Sequence, residues 1–288
     1  MAHVYSLGLM LGHEGSGELA DAALKGLKGE LHDEKNGGWY AGVTPEGDIV
    51  PNKQCYAHAF VILAASSALT AGRPGAKELL EEALAVYDRH FWNEEEGLAC
   101  DTWNTEFTVL DDYRGLNANM HTVEAFLAAG DVTGDKKYHI RAGRIIDHVI
   151  QWAEDNSWRI PEHFTREWVA DLDCNRDRPD DPFKPYGATP GHGIEWARLI
   201  TQWTLANCGE EKEKLEIHLQ AAENLYTTAI KDGWNADGAP GIVYTTDWNG
   251  KPVVHDRMHW TLAEAINTSA VLYLSLIHIS EPTRLQLI

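Results

Sequence analysis

The chain has 288 residues, 44% hydrophobic and 24% charged, with a formal net charge of −20. That is enough apolar chain for a large core, and it excludes wholesale disorder. An acidic chain without a basic stripe also argues against nucleic acid and anionic membranes as partners, and no apolar run approaches the roughly 18 residues of a membrane span. The first residues, Met1-Ala2-His3-Val4-Tyr5, lack the basic stretch of a secretory signal. Cys55, Cys100, Cys174 and Cys208 lie far apart, with no C-x-x-C pair. They read as reduced thiols of a cytoplasmic protein. Eleven Trp, 10 Tyr and 14 His modestly favour a sugar pocket, because rings stack on C–H faces and hydroxyls need donors and acceptors.

Along the chain the dominant period is helical. The first residues, with Val4, Leu7 and Leu11 at helical spacing, read as a helix already in progress. Apolar stripes at i, i+3, i+4 then predict helices over 18–31, 57–71, 76–90, 120–130, 137–153, 194–206, 215–231 and 262–274. The short connections Gly72-Arg73-Pro74-Gly75 and Gly130-Asp131-Val132-Thr133-Gly134-Asp135 join antiparallel neighbours. Longer ones, over 36–48, 96–104, 159–168 and 241–250, each read as a short β-hairpin leading to a helix start. Those starts fall near His58, His121, His192 and Thr261, 63, 71 and 69 residues apart. A repeat of two helices and a hairpin loop, longer than the roughly 34–47 residues of open solenoids, predicts a closed α/α toroid. It also predicts one domain over 1–273. Residues 274–288 break the pattern and resemble the translation of a DNA-library adaptor rather than natural protein.

Two helix starts share one chemistry. Asn117-Ala118-Asn119-Met120-His121-Thr122-Val123-Glu124 and Thr189-Pro190-Gly191-His192-Gly193-Ile194-Glu195 both carry His-x-x-Glu. With Asn119 and Thr189 as caps, each His sits in a first turn with the Glu one turn deeper on the same side. The helix N-terminus disfavours an imidazolium and the carboxylate favours it, which keeps the imidazole near neutrality and suited to general base work. The repeat equivalence points both histidines at one ring centre. Helical di-iron sites use the reverse order, Glu-x-x-His, with further Glu ligands, so no metal is expected. Glu124 and Glu195 as a glycosidase acid pair is a weaker reading of the same residues.

The motifs that carry a family resemblance are Gly37-Gly38-Trp39-Tyr40, Tyr56-Ala57-His58-Ala59-Phe60, Asp112-Tyr113-Arg114-Gly115-Leu116-Asn117-Ala118-Asn119-Met120-His121, Pro161-Glu162-His163-Phe164 and Phe183-Lys184-Pro185-Tyr186-Gly187-Ala188-Thr189-Pro190-Gly191-His192-Gly193-Ile194-Glu195-Trp196. His3-Val4-Tyr5-Ser6 precedes them and Val243-Tyr244-Thr245-Thr246-Asp247-Trp248-Asn249-Gly250-Lys251-Pro252 follows. Together they resemble the N-acylglucosamine 2-epimerase superfamily from residue 1 to about 273, most of all its bacterial aldose–ketose isomerase branch of mannose and sulfoquinovose isomerases.

The resemblance implies an all-α, (α/α)6-barrel fold and a sugar aldose–ketose isomerase working through a cis-enediol, with no cofactor. A sugar 2-epimerase, a glycosidase on the same toroid and an inactive sugar-binding relative are the alternatives. It assigns His192 and His121 to catalysis, and Tyr56, Asn117, Phe183, Glu195, Trp260 and Glu264 to the pocket. Pro182 stands where the sulfoquinovose branch has an arginine, which weakens the sulfonate reading. An upstream arginine and a second catalytic histidine of the family have no counterpart in the chain. The toroid is therefore expected to be a fragment, incomplete at both ends, inactive and poorly soluble by itself. The full-length protein is expected to take a monosaccharide and is compatible with a homo-oligomer.

Overall fold

The computed structural model describes residues 1–209 and 211–280, with side chains through Ser275. Glu210 and residues 281–288 lie outside the described residues. The expected adaptor segment 274–288 is thus described only over 274–280, which continue the last helix. The chain divides into two compact units, Met1–Ile145 and Ile146–Ile288.

In the first unit the helices are α1 (Ala2–Met10), α2 (Ser16–Lys28), α3 (Cys55–Thr70), α4 (Ala76–His90) and α5 (Leu116–Thr133), followed by α6 (Lys136–Asp155), within which the division falls. α1 packs on α2 and α3, and α3 packs on α4 and α5. The order follows from the sequence. α3 is apolar around its circumference and buries Ala59, Val61, Ile62, Leu63, Ala64, Ala65 and Ala68, as an interior helix must. α4 instead buries one stripe, Leu79, Leu80, Ala83, Leu84 and Tyr87, and exposes Lys77, Glu78, Glu81 and Glu82. The Tyr87 hydroxyl meets Thr122 Oγ1, and Cys55 Sγ lies 3.0 Å from it, so a buried polar contact ties α3, α4 and α5 together.

The loops carry the small strands. Gly42–Val43 pairs antiparallel with Ile49–Val50, and Trp92–Asn93 with Leu98–Ala99. Lys53–Gln54 pairs instead with Thr102–Trp103, a residue pairing between successive long loops. Behind that strand lies a buried ion pair. Lys53 Nζ donates to Asp33 Oδ2 at 2.9 Å and to the Gly37 carbonyl at 3.1 Å. It also lies 4.3 Å over the Tyr40 ring. Burial opposes ionisation of Asp33, but Lys53 and the Asn36 amides outweigh it and hold the carboxyl far below the usual range.

The second unit is built on α7 (Pro190–Asn207), packed against α8 (Lys212–Gly233) and α9 (His259–Ser280). α7 is the interior element and buries Ile194, Trp196, Ala197, Leu199, Ile200 and Trp203. Thr245–Thr246 pairs antiparallel with Pro252–Val254 across a bulge. The expected hairpin over 159–168 reduces to His163–Phe164, with a bridge from Phe164 to Ala170.

Two capping expectations are corrected. α5 begins at Leu116 after Gly115, so His121 lies in its second turn. Asn119 is no cap: its Oδ1 accepts Ala99 N–H at 2.9 Å and its Nδ2 donates to Ala99 O at 3.0 Å. A buried amide able to satisfy a strand's N–H and C=O together is worth more there than at a helix end. Thr189 does occupy the cap position of α7, with Pro190 following, but its side chain makes no capping bond. Its Oγ1 is buried with no hydrogen-bond partner among the described residues.

Candidate active site

The two His-x-x-Glu motifs fall in different units, and their surroundings differ. In the first, His121 Nδ1 lies 3.3 Å from Glu124 Oε2. The Tyr56 ring meets the imidazole edge-on at 5.1 Å, and Phe60 lies against it at 4.6 Å. Tyr56 is near the start of α3, so two interior helices present these rings at their loop ends. Asn117 Oδ1 is buried without a hydrogen-bond partner among the described residues. A buried carbonyl oxygen in that condition has capacity for one donor, such as a hydroxyl.

In the second unit His192 is the third residue of α7, as the sequence predicted. Its carboxylate partner is not the one predicted. His192 Nδ1 lies 2.9 Å from Oε1 of Glu162, which is 30 residues earlier. Glu162 sits in the buried run Ile160–Phe164 and is 6% exposed. Burial alone would lower the imidazole pKa. The charge and hydrogen bond of Glu162, with Glu195 and Glu264 behind it, outweigh burial and hold it above the ordinary histidine value.

Glu195, expected beside His192, is turned to Arg198 one turn on: Arg198 Nη2 donates to Glu195 Oε1 at 3.4 Å and Arg198 Nε to Glu264 Oε2 at 3.0 Å. Arg198 and Glu195 are both buried. Two carboxylates that would otherwise repel are thus held on one guanidinium, whose planar fork suits that task.

Trp260, at the start of α9, stacks on His192 with centroids 5.2 Å apart and planes 29° apart. That approach needs Gly191, where an added Cβ would lie 2.5 Å from the Trp260 ring. Tyr244 stands edge-on to Trp260 at 6.4 Å. Burial, then the charges of Glu162 and Asp181, push its phenol pKa up. The loop before α7 is fixed by Gly187, at φ +94°, where a Cβ would lie 2.1 Å from the Thr246 carbonyl. Ala188 and Thr246 exchange backbone hydrogen bonds there, each 2.9 Å.

Of the predicted site residues, the second unit therefore groups His192, Glu195, Trp260 and Glu264, and the first groups His121 and Tyr56, with Asn117 one turn before His121 on α5. Phe183 is not drawn in: it is 88% exposed, on a turn where Asp181 Oδ1 accepts its N–H. Glu162 and Arg198 received no role from the sequence. Arg198 was visible in the i, i+3 spacing from Glu195. Glu162 stood inside a quoted motif, between a proline and a histidine, but nothing local ties it to His192.

The chain is mostly helical, with interior and exterior helices and short hairpins in its long loops, and its structural neighbours belong to the (α/α)6-barrel fold class. The structure of a D-mannose isomerase superimposes with a TM-score of 0.85 at 28% identity, over 94% of this chain and 68% of that one. A cellobiose 2-epimerase from Bacillus thermoamylovorans shares the fold, with a TM-score of 0.76 at 21% identity, over 97% of this chain and 70% of that one. The chain belongs to the N-acylglucosamine 2-epimerase (GlcNAc 2-epimerase) family, whose sequence pattern it matches over residues 1–275.

Among its relatives, the D-mannose isomerase of Pseudomonas cannabina pv. alisalensis is 43% identical over 273 residues. That of Thermobifida fusca is 43% identical over 284. Each match covers 94% of this chain and 66% of the relative. The chain thus spans about two thirds of the length of these relatives; the expectation that it is a fragment is not borne out by the matches.

Proposed function

We propose that the protein is an aldose–ketose isomerase acting on a mannose-type hexose. The observation that carries this is the 43% identity to D-mannose isomerases across 94% of the chain. The His192 cluster supplies chemistry that suits it. His192 takes the proton from C2 of the open aldose. The C–H electrons form the C1=C2 bond, and the carbonyl pair moves to O1. Transfer of the O2 proton to O1 and return of the carbon-bound proton to C1 gives the ketose. A titrating imidazole serves both directions.

Trp260 offers a face on which a sugar ring stacks. His121, Tyr56, Asn117, Glu195, Glu264 and Phe183 are proposed as catalytic or sugar-contacting residues on the strength of the family resemblance. Pro182, with Phe183 exposed beside it, favours a neutral hexose over a sulfonated one. Four free cysteines fit a cytoplasmic protein, and no helix among the described residues is long and apolar enough to cross a membrane. In a glycosidase reading Glu195, held in an ion pair with Arg198, does not fit the protonated acid role.

The test is incubation of the protein with D-mannose in heavy water, followed by NMR. Fructose with deuterium at C1 is the expected product. Glucose with deuterium at C2 instead would make it a 2-epimerase, and neither product would overturn both readings.

A further inference from the structure

We infer that Glu162 is the positioning residue for His192: it accepts the Nδ1 proton, fixes the ring tautomer and so makes Nε2 the atom that exchanges a proton with substrate carbon. This rests on the isomerase reading for its purpose, but not for its geometry. The Nδ1 to Oε1 distance is 2.9 Å, and a carboxylate can only accept there. Glu162 comes from a loop segment, not from α7, so the contact is tertiary. Its neighbours hold it in place. His163 Nε2 donates to the Pro185 carbonyl at 2.8 Å, and the segment's Ile160, His163 and Phe164 are all buried. Trp260 stacks on a face of the imidazole and limits its rotation.

The chemistry explains why a carboxylate stands there. When Nε2 takes the substrate proton, the imidazole becomes an imidazolium inside a largely buried site. An anion at Nδ1 stabilises that charge without moving, and gives the proton a reason to stay long enough to be returned to the neighbouring carbon. Two other carboxylates face His192, Glu195 from α7 and Glu264 from α9. Both are tied to Arg198, whose single positive charge balances one of the two before the reaction begins. Glu162 makes the direct contact, and the elevated pKa of His192 is consistent with it.

The test reads His192 itself. In protein labelled with 15N-histidine, the His192 ring is assigned by the signals lost in His192→Gln. Its neutral form should carry the proton on Nδ1. Glu162→Gln should lower its titration midpoint by on the order of one pH unit, and Glu162→Ala should populate the Nε2–H tautomer. With D-mannose, the acid limb of kcat/KM should move down with the midpoint in Glu162→Gln. Its kcat should fall about tenfold or more while KM changes little.

Glu162→Asp keeps the charge at shorter reach and covers a glutamine variant that does not fold; its midpoint should fall part of the way. An unchanged midpoint in the variants, or an unchanged tautomer in Glu162→Ala, overturns the assignment. A protein that makes no fructose overturns the isomerase reading instead, and the titration still decides the role of Glu162.

Discussion

His58 and His192 stand at similar stations, the fourth residue of α3 and the third of α7, each just after a long loop. His58 Nδ1 donates to the Gln54 carbonyl at 2.8 Å, and Nε2 accepts the Trp39 N–H at 3.0 Å. Phe91, Trp39 and Phe107 surround its ring. Burial first of all holds its pKa down to about 3 against the opposing Gln54 bond, with the charges of Lys53 and His90 adding to the depression. His192 has a carboxylate where His58 has a backbone carbonyl, and its pKa goes the other way. The two stations therefore differ in the protonation state they favour: burial against peptide groups favours the neutral ring, an adjacent anion the charged one. His121 shows a third arrangement, with its carboxylate partner on its own helix one turn on.

The largest test of this contrast is His192→Ala. Deuterium exchange at C2 of mannose in heavy water should fall by about 10²–10⁴-fold, and the melting temperature should drop as well, because buried Glu162 loses its partner. Retained exchange would remove His192 from the chemistry.

His58→Gln should cost stability alone. Urea unfolding should show a loss of about 2–3 kcal/mol, because the Trp39 N–H and the Gln54 carbonyl lose well-placed partners in the core. The pH dependence sharpens the point. The His58 pKa lies below its unfolded value of 6.5, so below pH 6.5 the unfolded chain binds a proton that the native one refuses. Stability should fall as the pH drops from 6.5 toward 3, at about 1.4 kcal/mol per unit, and the glutamine variant should lack that slope. His192 has the opposite sign: its contribution is complete below the unfolded pKa and is lost as pH rises through the raised folded value. A variant that keeps the full acid slope would show that another group supplies it.

Gly191→Ala comes next. Its Cβ would lie 2.5 Å from the Trp260 ring, so it should cost about 1–3 kcal/mol through overpacking and lower kcat by moving the ring off His192. Wild-type stability and rate in this variant would show that the stack tolerates displacement. The smallest expected effect belongs to Trp260→Ala. Losing a stacking face of about 1 kcal/mol should raise KM for mannose several-fold and also lower kcat by freeing the imidazole. A change confined to kcat would assign Trp260 to holding the imidazole rather than the sugar.

The sequence by itself determined the helices and their order, because burial of a stripe or of a whole circumference is written in the spacing of apolar residues. α4 was read at its observed bounds, and the stripes over 57–71 and 194–206 fell within a few residues of α3 and α7. It also placed His192 in the first turn of α7, since Thr189 and Pro190 mark that start locally. Only the tertiary structure decided the partners. Asn119 looked like a cap and instead holds a strand, because a buried amide goes where backbone groups most need it. Glu195 looked like the partner of His192 and instead pairs with Arg198. Glu162, separated from His192 by 30 residues, became its partner through the packing of a loop against a helix start. Periodicity records which side of an element is buried; it carries no record of which distant group will be met there.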